Sequence, residues 1–300
     1  MLRRLRSMAV AVAPSLVLGT TEIGEKGGAG NIDRTFSRME KISAVGAMIG
    51  ALEQIVRSAE LDDDGMFSWP IHRTRDQSNQ RFPRKQIGKL LEYPNVVAIP
   101  HIRFLAAARL LFGSPGPKER ALLLTALVAT GSGMDLRHHY GGDGSDQMSQ
   151  ITFVASLLEK AFPHDARARE ACLRFVAFQT CVSYVSAGTV KLVSPVWRDG
   201  SAVTGIFRTD AYGDAALHGL LKRYPDLAVV LAWTVILGEL SFPLVLFAPR
   251  WVAEGVLATG AVFHLANGKF MGLNRFVWAF SGTYPAVAYV SRALHGRDGS

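Results

Sequence analysis

The chain has 300 residues, of which 49% are hydrophobic and 19% charged, with 33 Lys and Arg against 25 Asp and Glu for a net charge of +8. Length alone would permit a large soluble core, but the apolar residues are clustered: residues 1–90 are polar and basic, and from Val96 onward long apolar runs recur between short polar gaps. The basic residues sit in those gaps, as membrane proteins distribute Lys and Arg; this excludes a nucleic-acid partner, which needs the charge gathered on one face with interleaved aromatics.

The amino terminus has a basic start and a short apolar stretch with no clear small-residue cleavage site after it, so it reads as a retained leader. Residues 27–30 read as a flexible linker. A basic leader is therefore expected over residues 1–37, a membrane domain over 38–292 and a tail over 293–300. A spanning helix needs about 20 mostly apolar residues. Residues 42–56, which carry Glu53, form a first span or an interfacial helix. Residues 61–90 read as a solvated loop, acidic at Asp62, Asp63 and Asp64 and basic from Arg73 to Lys89. Further spans are expected at 96–112, which includes His101, Arg103 and Arg109, and in the short segments 121–134 and 148–162. Residues 175–196 follow, and then 194–225, a stretch expected to pack against the membrane surface. The clearest span is 227–247; next comes 251–271, and a short last one covers 276–290 with aromatic residues near both ends, as interface belts have. The fold expected is all-α, a polytopic transmembrane bundle of six to eight membrane helices. No inverted repeat is visible, which argues against a transporter.

Ionisable residues inside a span are costly and normally face the bundle interior or a wet cavity. Lys191 lies near the end of its span; Tyr184, Gly188 and Lys191 follow i, i+4, i+7 and share one helical face. The small residues Ala187 and Gly188 would let a helix or a ligand approach closely. A desolvated lysine can act as a base, and a snorkelling lysine is the plainer alternative. Glu239 is mid-span, a partner for Lys191, part of a proton relay, or a structural hydrogen bond. His264 and Asn267 lie one turn apart, either an interhelical clamp or a ligand-binding pair. His138, His139, Asp143 and Asp146 crowd a glycine-rich turn, but the consecutive histidines lack metal-ligand spacing, so no metal is expected and Ser145 or Asp146 reads as a helix cap. Cys172 and Cys181, half a turn apart in phase, read as buried free thiols.

The segments YGGDGSDQM, YVSAGTVKLVSPVWRDG, GELSFPL and FHLANGKFMGLNRF occur in that order. Together they resemble the bacterial HTTM (horizontally transferred transmembrane domain) family, which is related to the membrane part of vitamin K-dependent γ-glutamyl carboxylase. The resemblance implies a quinol cofactor of the vitamin K or menaquinol type. It also implies Lys191 as base, His264 and Glu239 as further catalytic groups, and Tyr184, Gly188, Trp197, Asn267 and Asp146 as cofactor or substrate contacts. Val190 stands where the carboxylase has a second lysine, and the carboxylase's large lumenal region is missing after the last span. That turns the expectation toward small relatives of the SdpB group: a membrane enzyme in the bacterial cytoplasmic membrane acting on a small peptide. The alternative is a non-catalytic membrane factor for maturation, export or immunity of such a peptide.

Overall fold

The computed structural model describes residues 28–74, 84–137 and 142–295, and all regular structure among them is helical. The helices are α1 (Gly28–Val56), α2 (Trp69–Thr74), α3 (Arg84–Leu91), α4 (Ala98–Phe112), α5 (Pro117–Arg137), α6 (Gly144–Glu159) and α7 (Ala166–Val193). After them come the short α8 (Pro195–Arg198), α9 (Ser201–Ile206) and α10 (Ala215–Arg223), then α11 (Pro225–Ser241), α12 (Arg250–Met271) and α13 (Asn274–His295).

Local chemistry sets the helix ends. Asp143 caps α6 by accepting the N–H groups of Ser145 and Asp146, and Asp146 reaches back to the Asp143 N–H to complete a capping box. The cap is therefore Asp143, not Ser145 or Asp146, because only its backbone is extended there. Asp165 and Asp214 cap α7 and α10 in the same way. Pro225 opens α11, where its missing N–H costs nothing. Gly272, at φ +73°, ends α12 in the left-handed region. Pro243 converts the expected continuous span 227–247 into α11 followed by a 3-10 turn, Phe242–Leu246.

Successive long helices run in opposite directions around α13, which packs on α1, α6, α7 and α12. The α1–α13 seam depends on small residues. A Cβ on Gly46 would sit 3.0 Å from the Trp278 Cβ, one on Gly50 3.1 Å from the Arg275 Cδ, and one on Gly282 would strike the Ser43 hydroxyl. Ion pairs tie the rest: Arg120 to the buried Glu40, and the buried Arg169 to both the buried Glu159 and the exposed Asp33. Arg137, fully buried, donates to the carbonyls of Leu91, Leu61 and Phe67 and gathers the chain around α2 and α3.

Several expectations need correction. Gly28, Ala29 and Gly30 begin α1 and are not linker; most of the expected leader, residues 1–27, lies outside the described residues. The loop expected at 61–90 contains α2 and the start of α3, and 194–225 folds into α8, α9 and α10. Of the aromatics of 276–290, Trp278, Phe280 and Tyr284 are buried within the bundle, while Phe276 and Tyr289 near the two ends are partly exposed. Cys172 and Cys181 are free and both buried, each in a different apolar cluster, because α7 is packed on two sides.

Among the described residues, three helices are long and apolar enough to cross a membrane: Asn95–Phe112, Ala166–Val193 and Pro225–Leu246. Only 33%, 33% and 28% of their most apolar windows is buried, so most of that surface faces outward, with Leu105, Phe112, Phe178, Leu237 and Leu244 among the exposed side chains. Outward-facing apolar surface of this extent marks a membrane or a partner, not water.

Candidate functional site

The helices α7, α11 and α12 line a partly open cavity of about 500 Å³, with α9 and α10 over one side of it. Its wall is mostly apolar and aromatic, and Lys191, Glu239, Trp197, Tyr184, His264 and Asn267 supply its polar groups.

Lys191 lies in the last turn of α7, and its ammonium donates to Glu239 Oε1 at 2.9 Å and Oε2 at 2.8 Å. The same nitrogen sits 5.2 Å from the centroid of the Trp197 ring, within cation–π range. The pair forms because α11 comes very close: a Cβ on Gly188 would lie 3.0 Å from Leu240 Cγ and 3.1 Å from Glu239 Cβ. Gly188 therefore serves the helix crossing and does not line the cavity, although its phase matches that of Tyr184 and Lys191. Held between two carboxylate oxygens, Lys191 is placed as a proton donor, and the acceptor of the pair is Glu239.

A second polar group lies deeper. The Tyr184 hydroxyl is 2.7 Å from His264 Nε2 and 2.6 Å from the Tyr284 hydroxyl. Aromatic contacts hold the three rings: Tyr184 stacks on Phe242 at 3.9 Å, and His264 on Phe280 at 4.5 Å. Gly260 makes room for the Tyr284 hydroxyl, which would lie 2.5 Å from a Cβ there. His264 Nδ1 is buried and has no hydrogen-bond partner among the described residues. Asn267 lines the cavity, and its carbonyl accepts the Gly272 and Leu273 N–H groups that end α12. Outside the apolar segments, Asp199 in the α8–α9 turn accepts hydrogen bonds from Ser201, which hold its carboxyl below the ordinary aspartate range.

Six of the eight expected site residues thus border one cavity, Gly188 lies behind its wall, and Asp146 lies elsewhere. Asp146 belongs to the start of α6, where it completes the cap and pairs with Arg275 at 2.7 Å. Tyr284 escaped the sequence reading: it lies in a run of buried residues, and no spacing ties it to Tyr184 one hundred positions away. His138 and His139 lie outside the described residues, and among those described no group of three His, Cys, Asp or Glu could hold a metal ion. Comparison with family models, with curated proteins and with solved structures finds no match to this chain.

Proposed function

We propose that this chain is an integral membrane protein of six to eight membrane helices, in the bacterial cytoplasmic membrane, that binds a lipid-soluble quinol in the α7–α11–α12 cavity and removes its hydroxyl proton. The observation that carries the reading is a single ion pair, Lys191 with Glu239, set in a mostly apolar and aromatic cavity of about 500 Å³. Such a lining takes an apolar ring and chain and has one charged place for a polar head. The quinol, when bound, supplies an acidic hydroxyl. Glu239 accepts that proton at a carboxylate oxygen, and the Lys191 ammonium, losing its counter-ion, balances the charge left on the ligand oxygen. Trp197 and the short helices covering the site keep water from the pair, and His264 and Asn267 offer hydrogen bonds at other points of the wall.

A second reading is favoured by the same pair's self-sufficiency. Lys191 already occupies both Glu239 oxygens, as a packing contact in a non-catalytic factor for maturation, export or immunity of a small peptide would. Purified protein in detergent, titrated with menadiol under anaerobic conditions, separates the two. The quinol reading expects saturable quenching of tryptophan emission that is lost in Trp197→Phe and needs roughly tenfold more ligand or worse in Glu239→Gln. Absence of saturable quenching in the unmodified protein overturns it. Quenching indifferent to Glu239→Gln leaves the pair as packing and favours the second reading.

A further inference from the structure

A second cavity, of about 220 Å³, lies on the other side of the first turn of α13, among α1, α4, α5 and α6. Arg275 faces this one, and its neighbour Phe276 lines the apolar cavity. The walls here are polar, and the cation set within them is unevenly matched. Arg275 is held by Asp146 at 2.7 Å, Asp143 at 3.4 Å and Glu53 at 3.9 Å. Arg103 is not held in this way. It falls midway along the apolar segment Asn95–Phe112, its Nη1 donates to the Leu127 carbonyl at 2.9 Å, and among the described residues no carboxylate lies within 4.0 Å of it. Asp146 and Asp135 act on its charge from the same cavity wall without reaching ion-pair distance, and an arginine at mid-span with no direct anionic partner is expensive to keep.

The acceptors are unmatched in the opposite sense. Gln150 donates through Nε2 to the Val128 carbonyl and the Ser132 hydroxyl, each at 2.9 Å, which leaves Oε1 as an acceptor, buried and with no donor. Gln54 Oε1, from α1, is buried and unmatched as well. Gly131 lets these groups converge: a Cβ there would sit 2.9 Å from Arg103 Nη1 and would strike Gln150 Oε1.

We propose that this cavity is a binding site for a small carboxylate with an N–H donor beside it, the chemistry shared by a free amino acid and the carboxyl end of a peptide. The guanidinium fork of Arg103 takes the carboxylate in two parallel hydrogen bonds, and Gln150 and Gln54 take the N–H. A monoanion fits better than phosphate, because Asp135, Asp146 and Glu53 on the same wall repel a second negative charge.

Calorimetric titration of the purified full-length protein in detergent tests this with glycine, glycylglycine, glycinamide, acetate and inorganic phosphate. Saturable binding of glycine or glycylglycine is expected, roughly tenfold or more tighter than that of glycinamide or phosphate. Tighter glycine points to a free amino acid, and tighter glycylglycine to a peptide end. Arg103→Lys keeps the charge but loses the fork, and should weaken both by roughly tenfold. Gln150→Leu leaves the arginine in place; it should weaken glycine several-fold and spare acetate, which has no N–H. No saturable binding of either glycine or glycylglycine overturns the proposal. So does glycinamide or phosphate binding as tightly, or unchanged affinity in both Arg103→Lys and Gln150→Leu.

Discussion

Removing Lys191 alone would strand a carboxylate that is only 7% exposed beside an apolar wall. Breaking a buried pair from one side costs about 3–5 kcal/mol, whereas replacing both partners by apolar groups is often neutral. Lys191→Met should therefore lose stability toward the lower end of that range, since the lysine side chain keeps 18% of its exposure. Lys191→Met with Glu239→Leu should recover most of the loss; thermal unfolding in detergent reads both, and equal melting of single and double variants would mean the pair is not buried as described. The individual candidates were legible in the sequence for one physical reason: Lys191, Glu239 and His264 are charges or imidazoles inside apolar runs, where they are too costly to be incidental. Their grouping was less legible. The Lys191–Glu239 contact depends on Gly188 admitting α11, and the Tyr184–Tyr284 hydrogen bond on Gly260 leaving room. Such cross-helix approaches leave no periodic signal in either segment.

Among the elements, α13 shows how hydropathy misleads. It carries Asn274, Ser281, Thr283 and Ser291, all buried, and it lies among α1, α6, α7 and α12. A helix screened by other helices need not be apolar, so its sequence reads as a short, weak span although its helix runs for 22 residues. The close α1–α13 seam is the element-level test. Gly282→Val places a branched side chain against Ser43, and overpacking of this kind costs about 1–3 kcal/mol. The same change at Gly255, where a Cβ meets nothing within 4 Å, removes no close contact and should be far milder. Comparable melting temperatures for the two variants would show the seam to be loose. The α8–α9 turn carries a pH signature. Hydrogen bonds from Ser201 depress the Asp199 pKa below its unfolded value, so their contribution is present above the unfolded pKa and lost as pH falls through the folded one. A melting-temperature difference between wild type and Asp199→Ala that is present at neutral pH should shrink as the solution is acidified below the ordinary aspartate range. A gap that holds constant into acid would show that the carboxylate's charge plays no part.

At the scale of the molecule, the arrangement of helices makes a claim about sidedness. Alternating directions put the α4–α5, α6–α7 and α11–α12 connections at one end of the bundle, and the end of α1 with α8, α9 and α10 at the other. Among the described residues, three helices are apolar enough to cross a membrane on composition alone, and the remaining long ones would cross only as part of a bundle that shields their polar faces. If the whole bundle is embedded, Ser114, His164 and Pro249 emerge on one side and Arg57 and Thr209 on the other, all at exposed positions. The native cysteines are buried, so single cysteines placed at those five positions can be probed in intact cells with a membrane-impermeant maleimide. The first three should label together and the last two only after the membrane is opened, or the reverse. Carbonate washing should leave the protein in the pellet. Insertion of only the three most apolar helices gives the same pattern at these five positions, so a sixth cysteine at the exposed Gly142, between α5 and α6, separates the two: it labels with Arg57 and Thr209 if the whole bundle is embedded and with Ser114, His164 and Pro249 if only α4, α7 and α11 cross. Labelling split within either group, or a cysteine at position 142 labelling with the first three, would reject the embedded bundle, and with it a quinol cavity reached from the lipid.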